Sequence, residues 1–159
     1  ILRALSPARI VAVDVSDEKL RLAREVGADE TVEAGEGAAE AIGEITRGRG
    51  CELVVDMVGS DDSIALAAAV ARFESHLTIV GLAGGKFEFA FGTLPFEAQL
   101  TIPYWGSAIE LAECLELARQ GRIRAHVERF SLDDAPRAYE KMRAGELDGR
   151  AVICPHGAA

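Results

Sequence analysis

The run Ala8-Arg-Ile-Val-Ala-Val-Asp14 is a short apolar stretch closed by one acid, and Ser16-Asp-Glu-Lys-Leu-Arg-Leu-Ala-Arg-Glu-Val-Gly27 follows it with helical spacing. A buried strand feeding straight into a helix is half of a βαβ unit. Apolar runs of four to seven residues recur between helical stretches along the whole chain. That alternation predicts an α/β fold with a Rossmann-like, doubly wound parallel sheet.

In open sheets of this kind ligands bind outside the carboxyl ends of the strands. An acid closing the second strand accepts hydrogen bonds from the two ribose hydroxyls of NAD and repels a 2′-phosphate. Asp14 is therefore a candidate cofactor-selecting residue. The glycine-rich turn that should stand roughly 20 residues ahead of such an acid is not in the sequence, which opens at Ile1-Leu-Arg-Ala-Leu5 in helix-like pattern. The chain thus reads as part of a longer polypeptide, lacking its first strand and that turn. In the usual strand order the first strand lies between the ones that carry Asp14 and Asp56, so two inner sheet edges are expected to be exposed. Without the helix N-terminal cradle for a pyrophosphate, NAD affinity is expected to be poor.

The 159 residues, 49% of them hydrophobic, suffice for one domain with a core, here taken as 1–159. A net charge of −9 argues against binding nucleic acid through its phosphates. Cys51, Cys114 and Cys154 are far apart and each sits in an apolar stretch, suggesting neither a zinc cage nor a disulfide framework. No apolar run reaches the roughly 18 residues that cross a bilayer, and the pattern of a signal peptide is missing; a cytoplasmic protein is expected.

Along the chain, helix is predicted to about Leu5, strand over Arg9–Val15, and helix over Asp17–Val26 with Ser16 as cap and Gly27 as stop. A short strand over Glu30–Glu33 and a helix over Ala38–Thr46 come next. Glu52-Leu-Val-Val-Asp-Met-Val58 reads as a central strand covered on both faces. An alanine-rich helix over Asp62–Arg72 and a strand over His76–Leu82 follow. The glycine- and phenylalanine-rich segment 83–95 is read as a loop, and Gln99–Tyr104 as an extended segment. Ser107–Arg119 is an amphipathic helix with Ile109, Leu111, Cys114, Leu115 and Leu117 on its apolar face. The remainder is a strand over His126–Phe130, a helix over Asp133–Arg143 and a strand over Gly149–Cys154.

Val-Asp14 with Asp-Glu-Lys-Leu-Arg-Leu-Ala-Arg-Glu-Val-Gly-Ala-Asp29, Val-Val-Asp-Met-Val-Gly-Ser60, Leu-Thr-Ile-Val-Gly81, Pro-Tyr-Trp-Gly106 and Gly-Arg-Ala-Val-Ile153, in that order, resemble the cofactor-binding half of medium-chain, zinc-dependent alcohol dehydrogenases. The likeness is greatest to bacterial NAD-dependent secondary-alcohol dehydrogenases and runs over essentially the whole chain. It implies that Asp14 binds the adenosine ribose and that Lys19 reaches the same ribose. It also implies that Met57 and Val58 pack near the adenosine, that Val80 and Leu82 lie beside the nicotinamide, and that Arg150 contacts the pyrophosphate with its paired donors. Tyr104 and Trp105 resemble an aromatic wall shared by nicotinamide and substrate; Pro103 departs from the pattern because it has no N–H to donate.

The resemblance further implies an alcohol or ketone substrate for the whole enzyme and homo-oligomers formed through 98–104. In that family the catalytic zinc, its ligands and the proton relay belong to the preceding half of the polypeptide. His76, His126 and His156 have no cysteine or carboxylate at ligand spacing, so no catalytic or metal-binding residue is assigned here. Hydride transfer needs a Lewis acid for the developing alkoxide, so these residues alone are not expected to oxidise alcohols.

Each assignment has a plainer reading. Asp14 is also placed to shape the turn into the next helix, Lys19 is an exposed helix lysine, and Arg150 stands where a side chain snorkels at a sheet edge. Tyr104 and Trp105 suit a core or an oligomer contact as well as a pocket. Asp56 is read as a buried acid held by backbone donors rather than as a cofactor contact. For the whole chain the rivals are a noncatalytic dinucleotide-binding or scaffold module and, less well matched, a methyltransferase-like fold.

Overall fold

The computed structural model describes residues 1–157, with 13 helices and strands that alternate except where β5 follows β4. They fall into two compact units, residues 2–110 and the residues from Leu111 onward. No helix among the described residues is long and apolar enough to cross a membrane.

In the first unit, α1 (Leu2–Leu5) leads into β1 (Val11–Asp14), α2 (Asp17–Glu25) and β2 (Glu30–Glu33), with β1 and β2 parallel from Val11↔Glu30 to Asp14↔Glu33. α2 starts where Ser16 accepts a hydrogen bond from the Lys19 N–H and two acids occupy the first turn, which suits the positive end of the helix dipole. Beyond its last turn comes Gly27, at φ +110°. A Cβ there would lie 2.9 Å from the Arg3 side chain, whose Nε donates to the Gly27 carbonyl. α3 (Ala38–Ile45) leads on to β3 (Cys51–Asp56), α4 (Asp61–Val70), β4 (Ala71–Ile79) and, after a long loop, β5 (Gln99–Thr101). β3, β4 and β5 form a second, parallel sheet in that order.

The core joins the two sheets: Val32, Ala38, Ile42 and Val70 are buried together, with Val11, Cys51, Val54 and Leu66 packed around them. α2 lies on β1 and β2, α3 on β2 and α4, and α4 on β3 and β4. All strand pairs are parallel, as expected. The sheet is not continuous, however: among the described residues β1 pairs only with β2 and β3 only with β4, leaving one edge of each unpaired.

Two local expectations are corrected. β3 is covered on one face only, since Val54 and Asp56 point into the unit while Leu53 and Val55 are 47% and 38% exposed. α4 stops at Val70, two residues early, because Ala71 turns to extended backbone and pairs with Cys51. The register then jumps to Leu53↔His76 across a bulge inside β4, where Glu74 holds φ +57°.

The second unit contains β6 (Val127–Ser131), α6 (Ala135–Ala144) and β7 (Arg150–Cys154), with β6 and β7 parallel and Phe130 and Ala138 buried. α6 ends at Gly145 in left-handed backbone. The helix α5 (Ala108–Arg119) spans the boundary between the units; its apolar residues Ile109, Leu111 and Leu115 are exposed.

Candidate functional site

Asp14 is the last residue of β1, at the carboxyl end of its sheet. Its Oδ1 accepts the Ser16 N–H at 3.0 Å and lies 3.9 Å from Lys19 Nζ, while the side chain keeps a third of its surface in solvent. Asp14 therefore shapes the turn into α2 while its carboxylate stays partly exposed at the carboxyl end of the strand. Lys19 stands beside the same carboxylate from the first turns of α2.

The other candidates in the first unit follow the carboxyl ends of three adjacent parallel strands. Met57 and Val58 follow β3, Val80 and Leu82 follow β4, and Tyr104 and Trp105 come shortly after β5. Parallel strands present their ends on one rim, which is where such sheets bind ligands. Met57, Val58 and Leu82 are more than half exposed. Tyr104 and Trp105 meet edge to face at 5.6 Å with 83% of each exposed, and Trp105 holds left-handed backbone at φ +62°. That exposure excludes core packing for both rings.

Main-chain bonds tie the first two of these segments together. The Asp56 carbonyl accepts the N–H groups of Val80 (2.8 Å) and Gly81 (3.1 Å), Val58 accepts that of Ala83 (3.1 Å), and Gly59 accepts that of Gly85 (2.8 Å). The approach is so close that a Cβ on Gly81 would sit 2.0 Å from the Val58 backbone, and one on Gly59 2.2 Å from the Gly81 carbonyl. Only glycine fits there.

Beneath this rim lies Asp56, 7% exposed. Its Oδ1 accepts the Val58 and Gly59 N–H groups at 2.8 and 3.0 Å, and its Oδ2 accepts the Ser63 hydroxyl at 2.8 Å. Asp56 is thus a buried acid held by its neighbours, as the sequence suggested. Ser63, which also completes the capping box of α4 with Ser60, was not singled out from the sequence. The spacing Ser60-x-x-Ser63 was its only signal.

Arg150 begins β7 in the second unit, exposed, after Gly149 at φ +80°. Around it, His126 Nε2 is 2.9 Å from Asp148 Oδ2, the Asp148 N–H donates to Glu128, and Lys141 pairs with Glu128. The lysine and the Asp148 N–H hold the Glu128 carboxyl below its usual range. Among the described residues no cluster of histidine, cysteine or carboxylate side chains fits a metal ion. A catalytic zinc does not fit the described residues.

Residues 2–120 match the family model described as zinc-binding dehydrogenase. The chain is 31% identical to the NAD-dependent alcohol dehydrogenase of Sulfolobus acidocaldarius, over 96% of this chain and 45% of that protein. It is 29% identical to the D-arabinose 1-dehydrogenase (NADP(+)) of Saccharolobus solfataricus, over 98% of this chain and 45% of that protein. The crystal structure of the alcohol dehydrogenase from Aeropyrum pernix superposes with a TM-score of 0.88 at 34% identity, over 97% of this chain and 45% of that one. The chain thus spans under half the length of the relatives it matches.

Proposed function

The chain belongs to the zinc-binding dehydrogenase family, and on that premise we propose that it is the NAD-binding part of an alcohol dehydrogenase that oxidises alcohols, secondary ones to ketones and primary ones to aldehydes. The observation that carries this reading is the Asp14 carboxylate at the carboxyl end of β1, partly exposed and preceding the first turn of α2. A ribose bearing free 2′- and 3′-hydroxyls donates to such a group, and a 2′-phosphate is repelled by it. NAD, when bound, supplies the hydride acceptor; the residues of this chain orient it.

In this reading Lys19 assists at the ribose, Met57 and Val58 pack near the adenosine, and Val80 and Leu82 press on one face of the nicotinamide. Tyr104 and Trp105 wall the ring and the substrate pocket. Arg150 is assigned to the pyrophosphate, where a planar fork of donors matches the oxygens; family resemblance supports that role. Catalytic zinc and the proton relay come from residues outside 1–159, and the protein works in the cytoplasm.

Titration with NAD, NADP and S-adenosylmethionine tests the reading. NAD should bind tightest, and Asp14→Ala should weaken it about tenfold, as expected for losing hydrogen bonds to a charged acceptor, while leaving NADP less affected. A preference for S-adenosylmethionine, or an Asp14→Ala variant that binds NAD unchanged, overturns it.

We also propose association of two copies through 98–104. β5 is paired on one side only, and Leu100 and Ile102 on and beside it are 39% and 71% exposed. Sedimentation equilibrium should show a dimer that Ile102→Lys weakens; a monomer at high concentration refutes this.

A further inference from the structure

We propose that Asp56 is a positioning residue for dinucleotide binding: its buried carboxylate, acting with Ser63, locks the segments 57–60 and 80–86 into one rigid rim. The proposal rests on the dinucleotide reading above and deepens it.

Met57, Val58 and Leu82 are 66%, 55% and 89% exposed, and Val80 is 38% exposed, so little side-chain packing fixes them. Their direction is set by the main chain, and the main chain is set by Asp56. One carboxylate oxygen gathers the Val58 and Gly59 N–H groups, which folds the chain back at the end of β3. The other receives the Ser63 hydroxyl, which anchors that fold to the first turn of α4. The Asp56 carbonyl then accepts Val80 and Gly81, and the bonds from Ala83 to Val58 and from Gly85 to Gly59 continue the contact. At its far end the Lys86 N–H donates to Asp61 Oδ1 at 2.6 Å, closing the zipper.

The donors around the side chain are two amides and one hydroxyl, with no cation among them. A carboxylate with two acceptor oxygens satisfies all three at once. Asparagine keeps one acceptor but turns an amino group toward Ser63, so the hydroxyl must change from donor to acceptor and the charged acceptor that holds all three donors is lost while the volume stays the same. Glycines at 59, 81 and 85 let the two backbones touch, since a Cβ at any of them would meet backbone atoms at 2.4 Å or less. The rim therefore has no slack in which a loosened segment 57–60 settles into an equivalent position.

The test uses Asp56→Asn, Ser63→Ala, Ser63→Thr and, as a control of comparable destabilisation remote from the rim, Ile42→Val in the buried core. NAD affinity is read by calorimetry, thermal midpoint by circular dichroism, and the amides of Val58, Gly59, Val80 and Gly81 by hydrogen exchange. Asp56→Asn and Ser63→Ala should each raise the NAD Kd about tenfold and speed exchange at those four amides. Ser63→Thr, which keeps the hydroxyl, should stay within about twofold of the parent by the same reasoning. Ile42→Val should lower the midpoint and leave the Kd unchanged. Unchanged affinity in Asp56→Asn and Ser63→Ala, or an equal loss in Ile42→Val, overturns the proposal. If the unsubstituted protein binds no NAD, the dinucleotide reading fails; unaltered exchange in Asp56→Asn separately refutes the locking role.

Discussion

Gly149 shows how much a single residue decides in this chain. Its φ of +80° is strained for any L side chain, and a Cβ would meet the His126 carbonyl at 2.3 Å, the same carbonyl that accepts the Arg150 N–H. Gly149→Ala must therefore push β7 away from β6 at its first pair. We expect it to destabilise the second unit by about 1–3 kcal/mol, measured by urea denaturation; a loss below about 0.5 kcal/mol would show that the backbone there yields. Cys51 presents the opposite case, a residue silenced by its surroundings. Packed on the core, it has its thiol pushed above the usual range by burial, with Glu52 adding to the effect. Since only the thiolate reacts, iodoacetamide at neutral pH should leave Cys51 unmodified in the folded protein, and peptide mapping reads this directly.

Among the elements, the pair β6 and α6 is tied by charge. Lys141 on α6 donates to Glu128 on β6, and the Asp148 N–H donates to the other oxygen of the same carboxylate. Their effect is to lower the Glu128 pKa from its ordinary 4.5. A depressed folded-state value gives stability that is present above the ordinary value and lost as pH falls through the folded one. Acid unfolding of the second unit should accordingly begin below about pH 4.5, and Glu128→Gln should flatten that limb by lowering stability near neutrality toward its acid value. The elements also show where sequence reading stops. β2 was legible to the residue, because Glu30–Glu33 is bounded by turn residues, Gly27-Ala-Asp29 before it and Ala34-Gly35 after it. The junction of α4 and β4 was not. Ala71 and Arg72 are good helix formers, and only the distant Cys51 draws Ala71 into a strand. Likewise the rim acids were visible as strand-terminal carboxylates, whereas Ser63 matters through a contact seven residues back, to Asp56, that no periodicity encodes.

At the scale of the molecule, the two sheets of the first unit share a core but no ladder. Among the described residues the inner edges of β1 and β3 are rows of donors and acceptors without strand partners, and Val13, Leu53 and Val55 beside them are 37–47% exposed. Hydrogen exchange on residues 1–159 should be fast at the unpaired amides of β1 and β3 and slow in β4, which is paired on both sides. Uniform protection across the five strands would show that the gap is closed in solution. Such edges template pairing with other chains, so turbidity should rise with concentration at neutral pH.

Trp105 is the only tryptophan in the sequence, and its indole stands 83% in water beside Tyr104. The protein therefore carries its own optical gauge at the candidate nicotinamide wall. Its resting emission should be red-shifted, as for a hydrated indole, and it should dim when a reduced nicotinamide stacks close enough to accept the excitation. A blue, unresponsive spectrum would mean that the ring is sheltered by something other than the cofactor.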